Sequence, residues 1–288
     1  MKMSVFHIIP VTLALMAISC RGNTQTKTEK SNDMTHTFDA LKDSLQGKNI
    51  KEVKTSFTLN GKEHDAYISY NGSQLGKRPG IIVVPEWWGL NNYIRERGKM
   101  FANLGYVAMS IDPFGNGTIA NNPQEATAAT KPYYENPALC KELVDKAIEK
   151  LKTNDLVDTS DLALTGYCFG GFTAINAGIL GAPVRAVAVF HPSLGVAQPQ
   201  PGIKAKFLIC SGSADEFEKN NVQPFEQKMN AAKIDYQFNS YPDAKHGYTN
   251  PGATANGEKF KIPIGYNAEA DGASWQDMRS FFQRVLAN

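Results

Sequence analysis

Five short runs of mostly apolar residues constrain the fold of this chain more than any other feature of its sequence. They occupy residues 81–84, 106–111, 162–164, 186–190 and 206–210. Continuous apolar runs of this length are typical of strands that are buried on both faces, as in a parallel sheet. Weaker strand candidates lie at residues 65–70 and 236–240.

Stretches with helical periodicity separate most of these runs. Their apolar side chains recur every three or four residues over 93–104, 139–151, 222–232 and 275–285. This alternation of strands and helices predicts an α/β fold, with one domain built on a mostly parallel, twisted sheet that helices cover on both faces. Ligands of such sheets bind beyond the carboxyl ends of the strands, so the chemistry is expected directly after each strand.

The charge of the chain argues against nucleic acid as a partner. Its 30 Lys and Arg residues face 28 Asp and Glu residues, which leaves a formal net charge of +2. A protein that binds nucleic acid usually carries a basic surplus that neutralises phosphates. The His and Cys residues also lack the spacing of metal ligands, so no metal is expected.

The first 20 residues have the features of a signal peptide. Lys2 supplies a positive charge, and residues 5–18 are mostly apolar but too short and interrupted for a spanning helix. The sequence Ala17-Ile18-Ser19-Cys20 resembles a bacterial lipoprotein processing site, although the common Leu three positions before Cys is absent. We expect an exported periplasmic or cell-envelope protein, held at a membrane by a lipid on Cys20. A plain secretory signal and a cytosolic protein with an apolar start are the alternatives.

The segment after the signal is predicted to be a tether. Arg21 to Thr37 is rich in Asn, Thr, Lys, Ser and Gln and has almost no large apolar side chains, so it cannot bury enough surface to fold. We therefore expect a polar tether over residues 21–50 and the α/β domain over residues 51–288.

A glycine-rich turn with a cysteine at its centre follows the run at 162–164. It reads Gly166-Tyr167-Cys168-Phe169-Gly170-Gly171, and a helical stretch comes next. A nucleophile on such a strand-to-helix turn has strained backbone angles, so its neighbours must be small. The start of the helix favours a thiolate there. Cys168 is the candidate nucleophile, and a buried structural cysteine is the alternative.

Candidates for an acid and a base follow two later strands. Asp215 comes shortly after the run at 206–210, and His246 lies in the loop after 236–240. The order Cys168, Asp215, His246 is the chain order of α/β-hydrolase triads. A turn aspartate and a surface loop histidine are the simpler interpretations of each residue alone.

Glu86 is a fourth candidate, directly after the run at 81–84. It lies beside Trp87 and Trp88, and burial next to bulky indoles would raise the pKa of its carboxyl group. A salt bridge with Arg95 or Arg97 is the alternative.

Five blocks of the sequence resemble those of the dienelactone hydrolases, and the resemblance extends from about Lys51 to the C-terminus. The blocks are 85–91, 112–115, 166–171, 212–215 and 246–248. The resemblance implies a single-domain α/β-hydrolase without metal or organic cofactor. It also implies that Cys168 attacks an ester or lactone carbonyl and forms a thioester acyl-enzyme, while His246, oriented by Asp215, transfers protons.

The same resemblance assigns roles to three further residues. The glutamate at the position of Glu86 contacts the resting thiol and helps to activate it when substrate arrives. The backbone N–H groups of Phe169 and Trp87 are implied to form the oxyanion hole, which stabilises the negative oxygen of the transition state.

The sequence departs from the aromatic-ring-degrading members of this family at two positions. Those enzymes hold a substrate carboxylate with arginines, but residues 114–117 and 248–251 contain none here. We therefore expect a less charged ester with an apolar portion, in contact with Trp88, Phe114 and Tyr248. Ordinary core packing is the alternative for these aromatic residues.

Two alternative functions and three further features near the site remain to be considered. A non-catalytic, ligand-binding lipoprotein on the same scaffold and an acyltransferase are the alternatives to a hydrolase. His191, directly after the run at 186–190, is a further candidate for the pocket border. Residues 116–135 and 251–271 are predicted to be long loops beside the pocket.

Overall fold

A sheet of eight strands forms the centre of the structure, a computed structural model that describes residues 37–286. The strands are β1 (Ile50–Leu59), β2 (Lys62–Asn71), β3 (Arg78–Val84), β4 (Val107–Ile111), β5 (Val157–Tyr167), β6 (Ala186–Phe190), β7 (Lys206–Gly212) and β8 (Tyr236–Tyr241). Their order across the sheet is β1-β2-β4-β3-β5-β6-β7-β8. The pairs β1–β2 and β2–β4 are antiparallel, and the other pairs are parallel. The predicted mostly parallel sheet is confirmed.

Helices cover both faces of this sheet. They are α1 (Phe38–Asp43), α2 (Asn92–Asn103), α3 (Pro123–Glu135), α4 (Ala138–Leu151), α5 (Phe169–Ile179), α6 (Val222–Ala231), α7 (Ala253–Phe260) and α8 (Ala268–Val285). Successive strand residues point to opposite faces. In β3, Ile82 and Val84 therefore pack with α4, α5 and α6, whereas Ile81 and Val83 pack with α1, α2 and α8. This arrangement confirms the predicted α/β-hydrolase architecture.

The folded domain begins earlier than the sequence indicates. Helix α1 lies within the predicted tether, yet Phe38 and Leu41 are buried against the core beneath α2 and α8. The backbone N–H of Phe38 also donates to Asp271 Oδ2 at 2.8 Å. The prediction of a tether does not hold for residues 37–50, because a six-residue helix with two buried side chains leaves little periodic signal. The predicted signal peptide and Cys20 lie outside the described residues.

Two segments predicted to be loops are partly helical. Residues 116–135 contain α3, whose first turn is capped by the side chain of Asn122. Residues 251–271 contain α7 and the start of α8. Helix α3 buries only Ala126 and Thr130, so its sequence lacks the apolar stripe of a core helix.

A buried ion pair joins α2 to α8. Arg97 Nη2 donates to Asp271 Oδ1 at 2.6 Å, and both side chains are at most 1% exposed. The same nitrogen donates to the carbonyl oxygen of Thr249 at 2.7 Å. Arg97 therefore connects two helices and one loop. No helix among residues 37–286 is long and apolar enough to span a membrane.

We expect Asp271→Ala to lower the free energy of unfolding by about 3–5 kcal/mol, because it leaves the Arg97 charge buried without its partner. Urea denaturation measures this change. Glu149→Ala, which removes the exposed Lys146–Glu149 pair, is the control and should cost about 1 kcal/mol or less. Equal losses in the two variants would contradict a central role for the buried pair.

Candidate active site

Cys168 occupies a strained turn between β5 and α5. Its backbone angles are φ 55° and ψ −118°, a region that costs a non-glycine residue about 1–3 kcal/mol. The close approach of neighbouring chains explains the flanking glycines. A Cβ on Gly166 would lie 2.0 Å from Gly170 O, and a Cβ on Gly170 would lie 2.2 Å from Val84 O. The predicted strand-to-helix elbow is therefore present, with Cys168 at its apex.

His246 and Asp215 form a buried hydrogen-bonded pair next to this turn. Asp215 follows β7, and its Oδ2 lies 2.7 Å from His246 Nδ1. Its other oxygen accepts the N–H of Phe217 at 3.0 Å, which fixes the carboxylate. Because a carboxylate only accepts, Nδ1 carries the proton and Nε2 is the nitrogen left for proton transfer.

The surroundings of His246 favour its charged form. Burial by itself lowers the pKa of His246, but the charge of Cys168 and the hydrogen bond and charge of Asp215 raise that pKa well above its usual value. The geometry around His246 thus stabilises an imidazolium next to Cys168. Sequence analysis identified all three of these residues, and the structure brings them together.

His191 supports His246 from behind. The rings of His191 and His246 meet edge to face at 5.3 Å, and His191 Nε2 lies 2.8 Å from the Thr249 hydroxyl oxygen. Burial, and then the charge of His246, hold the pKa of His191 well below its usual value, so its ring is neutral. His191 is fully buried and packs against His246, whereas the sequence predicted it at the pocket border.

Glu86 is buried beside the same turn, without the salt bridge that sequence offered as an alternative. Arg95 pairs with Glu52, and Arg97 pairs with Asp271. Burial raises the pKa of Glu86 to about 7, although a hydrogen bond from Asn250 and the charges of His246 and Arg97 oppose this rise.

The donor to Glu86 is a residue that sequence analysis did not select. Asn250 Nδ2 donates to Glu86 Oε2 at 2.6 Å, and its own Oδ1 accepts the N–H of Gly252 at 2.9 Å. Asn250 lies four residues after His246, in the segment where the arginine is absent. Its position near His246 was the one feature of the sequence that could have indicated Asn250. An amide suits this place because it can donate to a carboxyl group in either protonation state.

A cavity of about 450 Å³ opens onto these side chains. Cys168, His246 and Glu86 line it, together with Trp87 and Trp88. Helix α3 supplies a further wall through Thr127, Thr130, Lys131, Tyr134 and Glu135. Sequence analysis missed these residues because it did not predict the helix that carries them.

Two aromatic residues predicted to contact substrate lie elsewhere. Phe114 stacks on Phe169 with ring centroids 5.6 Å apart and lines a separate cavity of about 360 Å³. Tyr248 is fully buried, and its hydroxyl donates to Cys210 O at 3.4 Å. Both are core residues because neighbouring rings cover them. The prediction for Trp88 places it correctly at the cavity.

The two predicted oxyanion donors are Phe169, which follows Cys168 in the chain, and Trp87, which lines the same cavity. Phe169 is the first residue of α5, so its N–H has no acceptor within the helix. Trp87 follows the end of β3 and lines the cavity. Their role as donors stays a prediction.

The other two cysteines that the structure describes are also buried. Cys140 and Cys210 are free thiols, and burial raises the pKa of Cys140 to about 12. Burial also raises the pKa of Cys210. Within residues 37–286, no three His, Cys, Asp or Glu side chains cluster as metal ligands would.

Comparisons with known proteins place this chain in one family. Residues 64–286 match the model of the dienelactone hydrolase family. A putative carboxymethylenebutenolidase of Yersinia pestis is 23% identical over 261 residues, which cover 83% of this chain and 90% of that protein. A probable 2-oxo-3-(5-oxofuran-2-ylidene)propanoate lactonase of Bradyrhizobium is 28% identical over 207 residues, which cover 66% of this chain and 80% of that protein.

Solved structures agree with the sequence match. A dienelactone hydrolase-like promiscuous phosphotriesterase from metagenomic libraries is 26% identical, with a TM-score of 0.77 over 83% of this chain and all of that chain. An acylaminoacyl peptidase of Pyrococcus horikoshii shares the fold, with a TM-score of 0.63 at 14% identity. The chain belongs to the dienelactone hydrolase family of the α/β-hydrolase superfamily and is a carboxylic ester hydrolase.

Proposed function

We propose that this protein hydrolyses a carboxylic ester or lactone through a thioester on Cys168, with His246 as the proton carrier and Asp215 as its orienting acid. One observation carries the proposal above all others. A cysteine on a strained elbow shares its cavity with a histidine whose Nδ1 is held by a buried aspartate at 2.7 Å. Nucleophile, base and orienting group in this arrangement are what acyl transfer requires.

The reaction proceeds in two halves. The Cys168 thiolate attacks the carbonyl carbon, and the N–H groups of Phe169 and Trp87 stabilise the resulting oxyanion. When this intermediate collapses, the bond to the alcohol oxygen breaks, and the imidazolium of His246 donates its Nε2 proton to that oxygen. A water molecule then loses a proton to His246 as it attacks the thioester. The second collapse restores the thiolate and yields the acid.

Glu86 adjusts the charge at the nucleophile. With a pKa of about 7, its carboxyl group exchanges its proton near neutral pH. In its neutral form the Glu86 carboxyl group does not repel a negative thiolate. In its ionised form it can accept a proton from the thiol. The resemblance to the family supports this second role.

The lining of the cavity indicates a substrate with an apolar portion. Trp87, Trp88, Phe217 and Ile264 contribute apolar surface. The arginines that hold a carboxylate in ring-degrading members are absent. Lys131 is the lysine on the cavity wall, and it pairs with Glu135 at 3.6 Å. We therefore propose an ester without a free carboxylate.

The place of action that we propose follows from the N-terminal sequence alone. A signal ending at Cys20 would direct the chain across the inner membrane of a bacterium, and a lipid on that thiol would hold it in the cell envelope. The segment 21–36 would then separate the lipid from the folded domain.

We expect Cys168→Ala to lower kcat for p-nitrophenyl butyrate by at least about 10³-fold, because no other group replaces the nucleophile. Intact mass after mixing with p-nitrophenyl acetate should show an acyl adduct on the parent protein only. Cys140→Ala is the control and should keep both the adduct and the turnover, since Cys140 is buried with a high pKa. Full turnover in Cys168→Ala would reject the mechanism. An adduct that passes to added alcohols and not to water would favour acyl transfer, and no adduct at all would favour a binding protein.

We expect Glu86→Gln to become more stabilising, relative to the parent, as pH rises. The pKa of Glu86 increases from an ordinary value of 4.5 to about 7 on folding, so between these values the native state binds more protons than the unfolded state. Its contribution to stability therefore falls as pH rises through this window and stays low above it. Urea denaturation at pH 4 and pH 8 should show a difference on the order of 3 kcal/mol between the two pH values. Glu258→Gln, at an exposed position, is the control; a flat profile for Glu86→Gln would contradict the assignment.

We expect Cys20→Ser to move the protein from the membrane fraction to the soluble fraction of a bacterial host, because the lipid attaches to the Cys20 thiol. Immunoblots of the two fractions measure the change, and Cys140→Ala serves again as a matched cysteine control. Unchanged fractionation of Cys20→Ser would reject the lipid anchor.

A further inference from the structure

A carboxylate that the proposed reaction does not use lies at one side of the active-site cavity. Glu218 follows Asp215 by three residues, lines the cavity and exposes only 5% of its surface. His246 and Asp215 are among the charges that act on it, so it lies close to the triad. Burying a carboxylate is costly unless a partner stabilises its charge.

The hydrogen bonds of Glu218 occupy only one of its two oxygens. The N–H of Leu194 and the Nδ2 of Asn221 both donate to Oε2, at 2.9 Å and 3.1 Å. Within the described part of the chain, no hydrogen bond ends on Oε1, and Oε1 is not among the polar atoms sealed inside the protein. Oε2 therefore holds the loop at Leu194, while Oε1 can accept a hydrogen bond from a molecule in the cavity.

His246, whose charge favours the ionised form of Glu218, is already paired with Asp215, and the lysine that lines the cavity is paired as well. Lys131 and Glu135 balance each other at the rim, where both side chains are 66% exposed. Burial raises the pKa of Glu218, and a cation beside it would favour its ionised form. The side of the cavity at Glu218 thus suits a positive group and opposes a negative one.

Aromatic rings add to this preference. Trp87, Tyr134 and Phe217 line the same cavity as Glu218. The face of an aromatic ring attracts an ammonium group through its negative electrostatic potential. A carboxylate and several aromatic rings around one space form a setting for a cationic group attached to an apolar chain.

We propose that Glu218 binds an ammonium group of the substrate, and that the ester hydrolysed by this protein carries such a group on its acyl chain. The inference rests on the proposed function, because Glu218 shares the cavity with Cys168. It reverses the charge preference of the family members that hold a substrate carboxylate with arginines, and it gives this chain a substrate class of its own.

Matched esters test the proposal. We would compare kcat/KM for the p-nitrophenyl esters of 6-aminohexanoate and heptanoate, which differ only in an ammonium or methyl terminus, and for the monoester of pimelate, which ends in a carboxylate. The parent protein should prefer the ammonium ester to the methyl ester by about tenfold or more, as a charge-assisted hydrogen bond predicts, and should disfavour the carboxylate ester. In Glu218→Gln the ratio of ammonium to methyl ester should fall to near one.

Glu216→Gln is the matched control for this comparison. Glu216 lies in the same loop, is exposed and does not line the cavity, so the variant removes the same charge while leaving the ratio unchanged. A parent protein that does not prefer the ammonium ester would overturn the proposal whether or not Glu218→Gln folds. An unchanged ratio in a folded Glu218→Gln would overturn it as well, and would leave Glu218 with only its contacts to Leu194 and Asn221.

A second measurement separates this inference from the proposed reaction. Hexylammonium should protect the Cys168 thiol from iodoacetamide in the parent protein about tenfold better than 1-hexanol does, and Glu218→Gln should lose the difference. This readout needs no turnover. If no ester is hydrolysed but the protection is selective, the proposed function fails and the ammonium site stands. Equal protection by both compounds in the parent would overturn the ammonium site even where esters are hydrolysed.

Discussion

The approach of the first turn of α5 to the end of β3 is the constraint on which the active site depends. Gly170 lies so close to Val84 that any side chain there would overlap its carbonyl oxygen. This contact pins the start of α5 against the strand and holds Cys168 at a positive φ. It also brings the residues after β3, Glu86 and Trp87, to the same cavity as Cys168. A strained backbone persists only where its surroundings over-determine it, and here two glycines and a strand end do so.

The buried contacts of Arg97 are a second constraint, and they act on the loop that carries His246. Arg97 donates both to Asp271 and to the carbonyl of Thr249, so one buried cation connects α2, α8 and the loop of His246. Asp271 also accepts from Phe38, which joins α1 to the same group. The Thr249 hydroxyl meets His191, and His191 packs on His246. His246 is therefore positioned by a continuous set of contacts that reaches helix α1.

The first of these constraints could be predicted from the sequence, and the second could not. The elbow around Cys168 is local, since its glycines, strand and helix all lie within residues 157–179, and it was predicted from the sequence. The strands with continuous apolar runs were predicted for the same reason. The meeting of Cys168, Asp215 and His246 was predicted because each follows the carboxyl end of a strand in a parallel sheet. The network around Arg97 depends on partners more than 150 residues apart, and nothing near Arg97 or Asp271 in the sequence indicates that they meet. The tether prediction failed over α1 because its helix is stabilised by that distant network.

The residues of the cavity wall, which determine substrate specificity, were also predicted only in part. Tyr248 and Phe114 resemble pocket residues in sequence, but packing covers them, whereas the polar helix α3 resembles a loop and becomes a wall. The sequence shows that residues 114–117 and 248–251 contain no arginine, but this indicates only that the site lacks a group to hold a carboxylate. The proposal of an ammonium group depends on Oε1 of Glu218, which is available because the N–H of Leu194 and the Nδ2 of Asn221 both donate to Oε2. The charge preference that we propose for Glu218 thus concerns a wall of the cavity and is separate from Cys168, His246 and the turn between β5 and α5.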